Sequence, residues 1–175
     1  FESIFLTSTP NSQEFLARIF TSEGELPFAG HPLLGAASLL HYLREDLSVQ
    51  ATWTFLLSNR NVEITTSKVA SAFYANMNQG HAIFGEKIGF IKSLWLAESF
   101  SSELDIRYSP QVVSTGLPYL LLPVTSSGLA SARQIRSVSS LLSSVGADFV
   151  YLMDVDSLEG RTWDAYGVVE DAATG

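Results

Sequence analysis

The sequence predicts an α+β fold of two similar strand-rich halves with few helices, the first built round a buried helix. Three observations carry that expectation. Hydrophobic residues make up 46% of the 175 and charged residues 16%, a balance that supplies a buried core and excludes a disordered chain. Short apolar stretches recur between Gly, Pro and polar turns, as strands do, and few segments show helical spacing. Each half also holds a Gly-bearing motif after a strand: Ala29-Gly30-His31-Pro32 in the first, Asp171-Ala172-Ala173-Thr174-Gly175 in the second.

The elements follow in order. Residues 14–20 (EFLARIF) alternate around Arg18 and read as a strand; the polar residues 21–25 read as a turn. Two prolines and a glycine keep 26–32 irregular. Residues 33–44 (LLGAASLLHYLR) then predict a helix, with Pro32 in its first turn, where a missing N–H costs nothing. Gly35, Ala36, Ala37 and Ser38 allow close approach to a sheet, and apolar residues on most sides predict a buried helix. Residues 51–57 and 61–66 predict a hairpin, and 69–76 a third strand. Residues 89–102 lean helical, and Ser109-Pro110 resembles a connector. Residues 119–124 predict a buried strand. Ile135, Val138, Leu142 and Val145 predict an amphipathic helix over 131–144. Residues 149–153 and 161–166 predict two more strands. The division falls near residues 105–116, giving domains 1–108 and 109–175.

Charge and cysteine usage narrow the functions. Eighteen acidic residues outnumber ten basic ones, for a net charge of −8, and the Lys and Arg residues form no stripe. Phosphate neutralisation needs one, so a nucleic-acid partner is not expected. No apolar run approaches the roughly 20 residues that cross a bilayer, so no membrane partner is expected. The chain contains no cysteine, which excludes disulfides, thiolate metal sites and cysteine nucleophiles and fits a cytoplasmic location. No phosphate-binding or dinucleotide-binding glycine pattern is present.

The residues with chemical potential are few. His31 stands at the entrance of a helix, where unpaired N–H groups and the positive end of the dipole can hold a carboxylate; a structural cap is the alternative. Asp171 to Gly175 offers a comparable arrangement, or an ordinary cap and turn. His41 has no metal-ligand spacing and reads as a packed or half-exposed helix residue; His81 reads as a solvent-facing loop residue. Asp154, Asp156 and Glu159 lack the glycine and spacing of a calcium loop and read as a solvated loop. No metal site is expected.

Residues 17–37 (ARIFTSEGELPFAGHPLLGAA) closely resemble the PhzF-like phenazine-biosynthesis family. Glu2-Ser3-Ile4-Phe5-Leu6 resembles the family segment that carries its catalytic glutamate. Ser114-Thr115-Gly116-Leu117-Pro118 and Glu170-Asp171-Ala172-Ala173-Thr174-Gly175 resemble two further family motifs in the same order. Leu33 stands where the family has threonine, and Ala172 and Ser22 where it has proline.

The resemblance implies a diaminopimelate-epimerase-like fold, with a sheet or barrel wrapped round a helix in each domain. It implies an isomerase without cofactor or metal that shifts a proton on a small carboxylic acid. Glu2 would be the general base and acid, His31 and Asp171 would assist, and Gly30, Thr174 and Gly175 would bind substrate. A homodimer is expected on the same ground. The two-thiol chemistry of true diaminopimelate epimerases is excluded by the missing cysteines. The chain begins and ends inside family motifs, so both domains are expected to be incomplete. The competing expectation is a non-catalytic binding or scaffold protein that retains the fold.

Overall fold

The computed structural model describes residues 2–21, 24–44, 49–164 and 170–171. They form two compact units, Phe1–Gly80 and His81–Gly175.

Unit 1 contains β1 (Ser3–Ser8), β2 (Glu14–Phe20), β3 (Glu25–Leu26), α1 (Gly30–Leu43), β4 (Gln50–Leu56), β5 (Asn61–Val69) and β6 (Ala72–Met77). The strands run in the order β1-β2-β4-β5-β6, with β3 paired to the second half of β2. Among the described residues only β2 and β4 are parallel, and α1 is the crossover that a parallel pair requires. Period-two alternation puts Phe15, Ala17, Ile19, Trp53, Phe55, Val62 and Ile64 on one face, packed with Leu33, Ala36 and Ala37 of α1. The small alanines let helix and sheet approach, as expected.

One buried polar contact fixes α1 on this sheet. Trp53 Nε1 donates to Thr66 Oγ1 at 3.0 Å, and the same oxygen lies 2.8 Å from His41 Nδ1. His41 is therefore a packed residue, with its ring edge-on to Phe73 at 5.1 Å.

Unit 2 contains β7 (Ile83–Lys87), α2 (Phe90–Ser99), β8 (Gln111–Ser114), β9 (Pro118–Pro123), α3 (Ser126–Ser131), α4 (Ser139–Val145), β10 (Phe149–Asp154), β11 (Glu159–Asp164) and β12 (Glu170–Asp171). Its strand order is β12-β11-β10-β9-β8-β7. Again one pair is parallel, β9 with β10, and α3 and α4 form the crossover. The core joins Leu120, Leu122, Val150, Leu152 and Trp163 to Leu96, Phe100, Leu129 and Leu142. The run β1-β2-β4-β5-β6 thus has the same plan as β8-β9-β10-β11-β12, with the single parallel pair at the same place. This agrees with the expected α+β pair of similar sheet-and-helix halves.

Several sequence-based expectations need correction. The division falls at Gly80/His81 and not at 108/109, because β7 pairs with β8 and Leu96, Ala97 and Phe100 enter the second core. Residues 131–144 do not form one helix. The amides of Arg133 and Ile135 donate to the carbonyls of Phe100 and Ser99 at the end of α2, which takes the backbone out of helix; Ile135 is consequently exposed while Val138 is buried.

Helix α1 starts at Gly30, earlier than expected. It is buried on one side only, with Leu39, Tyr42 and Leu43 exposed among the described residues. The third strand of the first half splits into β5 and β6 at a turn where Ala70 takes φ +54°. Strands β1, β7 and β8 were not expected from the periodicity: β7 is exposed along its length and β8 is short. No helix among the described residues is long and apolar enough to cross a membrane.

Candidate active site

Glu2 immediately precedes β1, and β1 pairs with β2 along its whole length, Ser3 opposite Phe20. Strand β3 holds the other edge of β2 at the same level, Phe20 opposite Glu25. The chain leaving β3 enters α1 four residues later. Pairing therefore brings the start of α1 to the start of β1. Glu2 Oε2 lies 3.1 Å from His31 Nε2, with the carboxylate side chain 20% exposed and the imidazole 42%. The contact is a hydrogen bond when the imidazole carries one proton on that nitrogen and an ion pair when it carries two.

His31 is the second residue of α1. The N-cap is Ala29, whose side chain cannot accept from the helix amides, and the first turn holds no acidic residue. A helix start of this kind leaves N–H donors and the positive end of the dipole for an anion. A Cβ added at Gly30 would come within 3.2 Å of Met77 Cε and 3.9 Å of Gln79 Nε2. Gly30 thus lets the side chains at the end of β6 lie close against the start of α1. Met77 and Gln79 were not candidates from the sequence, since nothing in their own neighbourhood marks them.

Asp171 lies in unit 2, in β12. It is half-buried and opposite Thr162 in the register. The structure thus brings Glu2, Gly30 and His31 together in unit 1, and presents Asp171 on a short edge strand of unit 2. Thr174 and Gly175 lie outside the described residues.

The other candidates resolve into structural groups. His81 is exposed. Asp154 is buried, against the solvated-loop expectation, and accepts from Ser126 Oγ at 2.6 Å, Ser157 Oγ at 2.9 Å and the Asp156 amide at 3.0 Å. Those donors hold its carboxyl below the usual carboxylate range, the Ser126 hydroxyl most of all. Arg107 bridges Asp105 at 2.7 Å and Asp156 at 2.6 Å; this lowers the Asp105 carboxyl and raises the guanidinium. A cation already occupies the middle of that acidic group. Among the described residues, no three His, Asp or Glu side chains converge as metal ligands.

The fold and the site define the class: a cysteine-free, two-unit α+β protein with a carboxylate–imidazole pair at the uncapped start of a helix. The chain belongs to the phenazine biosynthesis-like (PhzC-PhzF) family, which matches over residues 1–175. It is 31% identical over 191 aligned residues to the trans-2,3-dihydro-3-hydroxyanthranilate isomerase of Pseudomonas chlororaphis, covering 99% of this chain and 60% of that protein. The isomerase of the same name from Pseudomonas fluorescens is also 31% identical, with the same coverage.

Among solved structures, a predicted epimerase from Pseudomonas aeruginosa matches with a TM-score of 0.94 and 52% identity, over 100% of this chain and 62% of that one. A PhzF-family protein from Bacillus anthracis shares the fold with a TM-score of 0.80 at 21% identity, over 99% of this chain and 62% of its own. The chain therefore spans about 60% of the length of the curated relatives it matches.

Proposed function

We propose that this chain carries part of the machinery of an isomerase that moves a proton on a small carboxylic acid, using side chains and backbone amides alone. The observation that supports the reading best is the 3.1 Å contact between Glu2 and His31 at the uncapped start of α1. In this reading the Glu2 carboxylate takes a proton from a substrate carbon. The electron pair left behind spreads into the adjacent unsaturated or carboxyl-bearing system. The resulting carboxylic acid then returns the proton to a different carbon, so no oxidant or reductant is needed.

His31 orients the Glu2 carboxylate through Nε2, and the amides of the first turn of α1 hold the substrate carboxylate. Asp171 is the acid–base candidate contributed by unit 2. The relatives named trans-2,3-dihydro-3-hydroxyanthranilate isomerase make a cyclic amino acid of that kind the first substrate to try.

The test is deuterium uptake from D2O into that substrate, followed by mass spectrometry on the protein at the length of its relatives. Glu2→Gln lowers uptake by at least about 10²-fold, the lower end of what positioned acid–base groups contribute. Undiminished uptake would remove Glu2 from the reaction. Binding without any uptake by the unaltered protein would favour a scaffold that has kept only the fold.

A further inference from the structure

The sheets of the two units carry the same side-chain fork next to their candidate residues. In unit 1, Arg18 Nε donates to Glu25 Oε1 at 2.9 Å and Nη2 to Glu25 Oε2 at 2.7 Å. In unit 2, Arg161 Nε donates to Glu170 Oε1 at 2.7 Å and Nη2 to Glu170 Oε2 at 2.6 Å. Each guanidinium also lies over the aromatic ring two residues further on: Arg18 over Phe20 at 4.9 Å, Arg161 over Trp163 at 5.0 Å.

The registers coincide as well. Phe20 is opposite Glu25 and Trp163 is opposite Glu170, so each Arg reaches its Glu diagonally across the same two-residue strand. The arginine and glutamate are seven residues apart in one unit and nine in the other. The fork is therefore kept across loops of different length, and no single turn conformation generates it.

We infer that this Arg–aromatic–Glu fork is a positioning device, and that Arg161 and Glu170 are positioning residues for Asp171. The inference rests on the reading in which Asp171 serves the reaction. The two described residues of β12 give little backbone pairing to fix a register against slippage. A slip by one residue would turn Glu170 and Asp171 to opposite faces of the sheet. The fork forbids that slip, because Glu170 is held on the face of Trp163 and Arg161. Asp171 is thereby held on the other face, beside Thr162.

Arg161 is itself anchored. Its Nη1 donates to the Leu129 carbonyl of α3 at 2.9 Å, and Trp163 packs on Phe100 at 5.1 Å. In unit 1 the fork does the equivalent for β3, the strand that leads into Gly30 and His31. Bidentate pairing by a planar guanidinium suits this role, since it fixes direction as well as distance.

Amide hydrogen exchange by NMR tests the device without reference to catalysis. Arg161→Met speeds exchange at residues 162–163 and 170–171 by at least about tenfold, while Val150 and Leu152 in β10 stay protected, since losing the charged fork lowers the local cost of opening β12. Arg161→Lys, which keeps the charge and loses the fork, gives a smaller acceleration. The exchange of partners, Arg161→Glu with Glu170→Arg, restores most of the protection.

Unchanged protection of β12 in Arg161→Met, or in Arg161→Lys if the former does not fold, overturns the inference. So does uniform loss throughout the unit with no recovery in the exchanged pair. Asp171→Asn separates this from the functional reading. If it leaves deuterium uptake intact while the fork variants still loosen β12, the role of Asp171 fails and the fork stands. If it abolishes uptake while the fork variants leave β12 protected, the fork fails and Asp171 stands.

Discussion

The two forks have the same atoms in the same register but different surroundings. Arg18 lies on the outer face of β2, with its side chain 64% exposed and that of Glu25 39%. Arg161 lies on the face packed by the helices of unit 2, is 29% exposed, and is tied to α3 as well as to Glu170. An exposed ion pair contributes little to stability, because water and salt compete for both charges. The unit 1 fork therefore directs the chain more than it stabilises it, and α1 is secured instead by the buried polar contact of His41, Thr66 and Trp53. In unit 2 the helix α2 enters the core through Leu96 and Ala97, and the short edge strand β12 is held by the charged fork. The same device is a guide in one unit and an anchor in the other.

The aromatic partner gives the sharpest contrast. Trp163 is buried and Phe20 is half-buried on the outer face. Trp163→Ala destabilises unit 2 by about 3–5 kcal/mol, as large-to-small core changes do. Phe20→Ala costs unit 1 less than half as much, since a partly exposed ring leaves less apolar surface to lose. Urea unfolding followed separately in the two units measures both, and equal losses would break the distinction.

A smaller effect is expected at the polar contact of unit 1. Thr66→Val keeps the shape but leaves Trp53 Nε1 without its acceptor and His41 without its hydroxyl partner. The loss is about 1–3 kcal/mol, read as a lower urea midpoint at constant slope. The exchange rates of β12 in unit 2 do not change with it.

The smallest effect comes from acid. Hydrogen bonds from Arg161 hold the Glu170 carboxyl below its ordinary value, and those from Arg18 do the same for Glu25. A carboxyl lowered in the folded state stabilises that state above its unfolded value, near 4.3 for glutamate. That contribution disappears as the pH falls through the lowered folded value. Protection of β12 is accordingly flat near neutrality and falls on the acid side of about pH 4, together with the contribution of Asp154. Adding 1 M salt at neutral pH loosens β3 more than β12, because the Arg18–Glu25 pair is the more exposed. Reversal of that order would show that burial does not separate the forks.

Much of this could be read from the residues. Alternation gave β2, short apolar runs between turn residues gave β4, β9 and β10, and Pro32 with the small residues after it gave α1. The family motifs singled out Glu2 and His31, which the fold brings together although 29 positions separate them. What escaped the sequence was set by distant partners. The carbonyls of Ser99 and Phe100 divert residues 133 and 135 from a helix, and nothing within that stretch announces it. Strand β7 belongs to unit 2 only because β8 pairs with it. Asp154 looked like a solvated loop residue because its serine partner Ser126 is 28 positions away. The fork was equally hidden, since nothing pairs Arg161 with Glu170 until the register sets them diagonally across β11 and β12.

The role of Glu2 is most directly tested by separating its charge from its shape. Glu2→Asp keeps a carboxylate but withdraws it by one methylene from His31, whereas Glu2→Gln keeps the length and removes the acid–base function. Deuterium uptake into a turned-over carboxylic acid, measured for both variants side by side, should leave Glu2→Asp the more active by about tenfold or more. Equal activity, or a more active Glu2→Gln, would contradict proton transfer through this carboxylate.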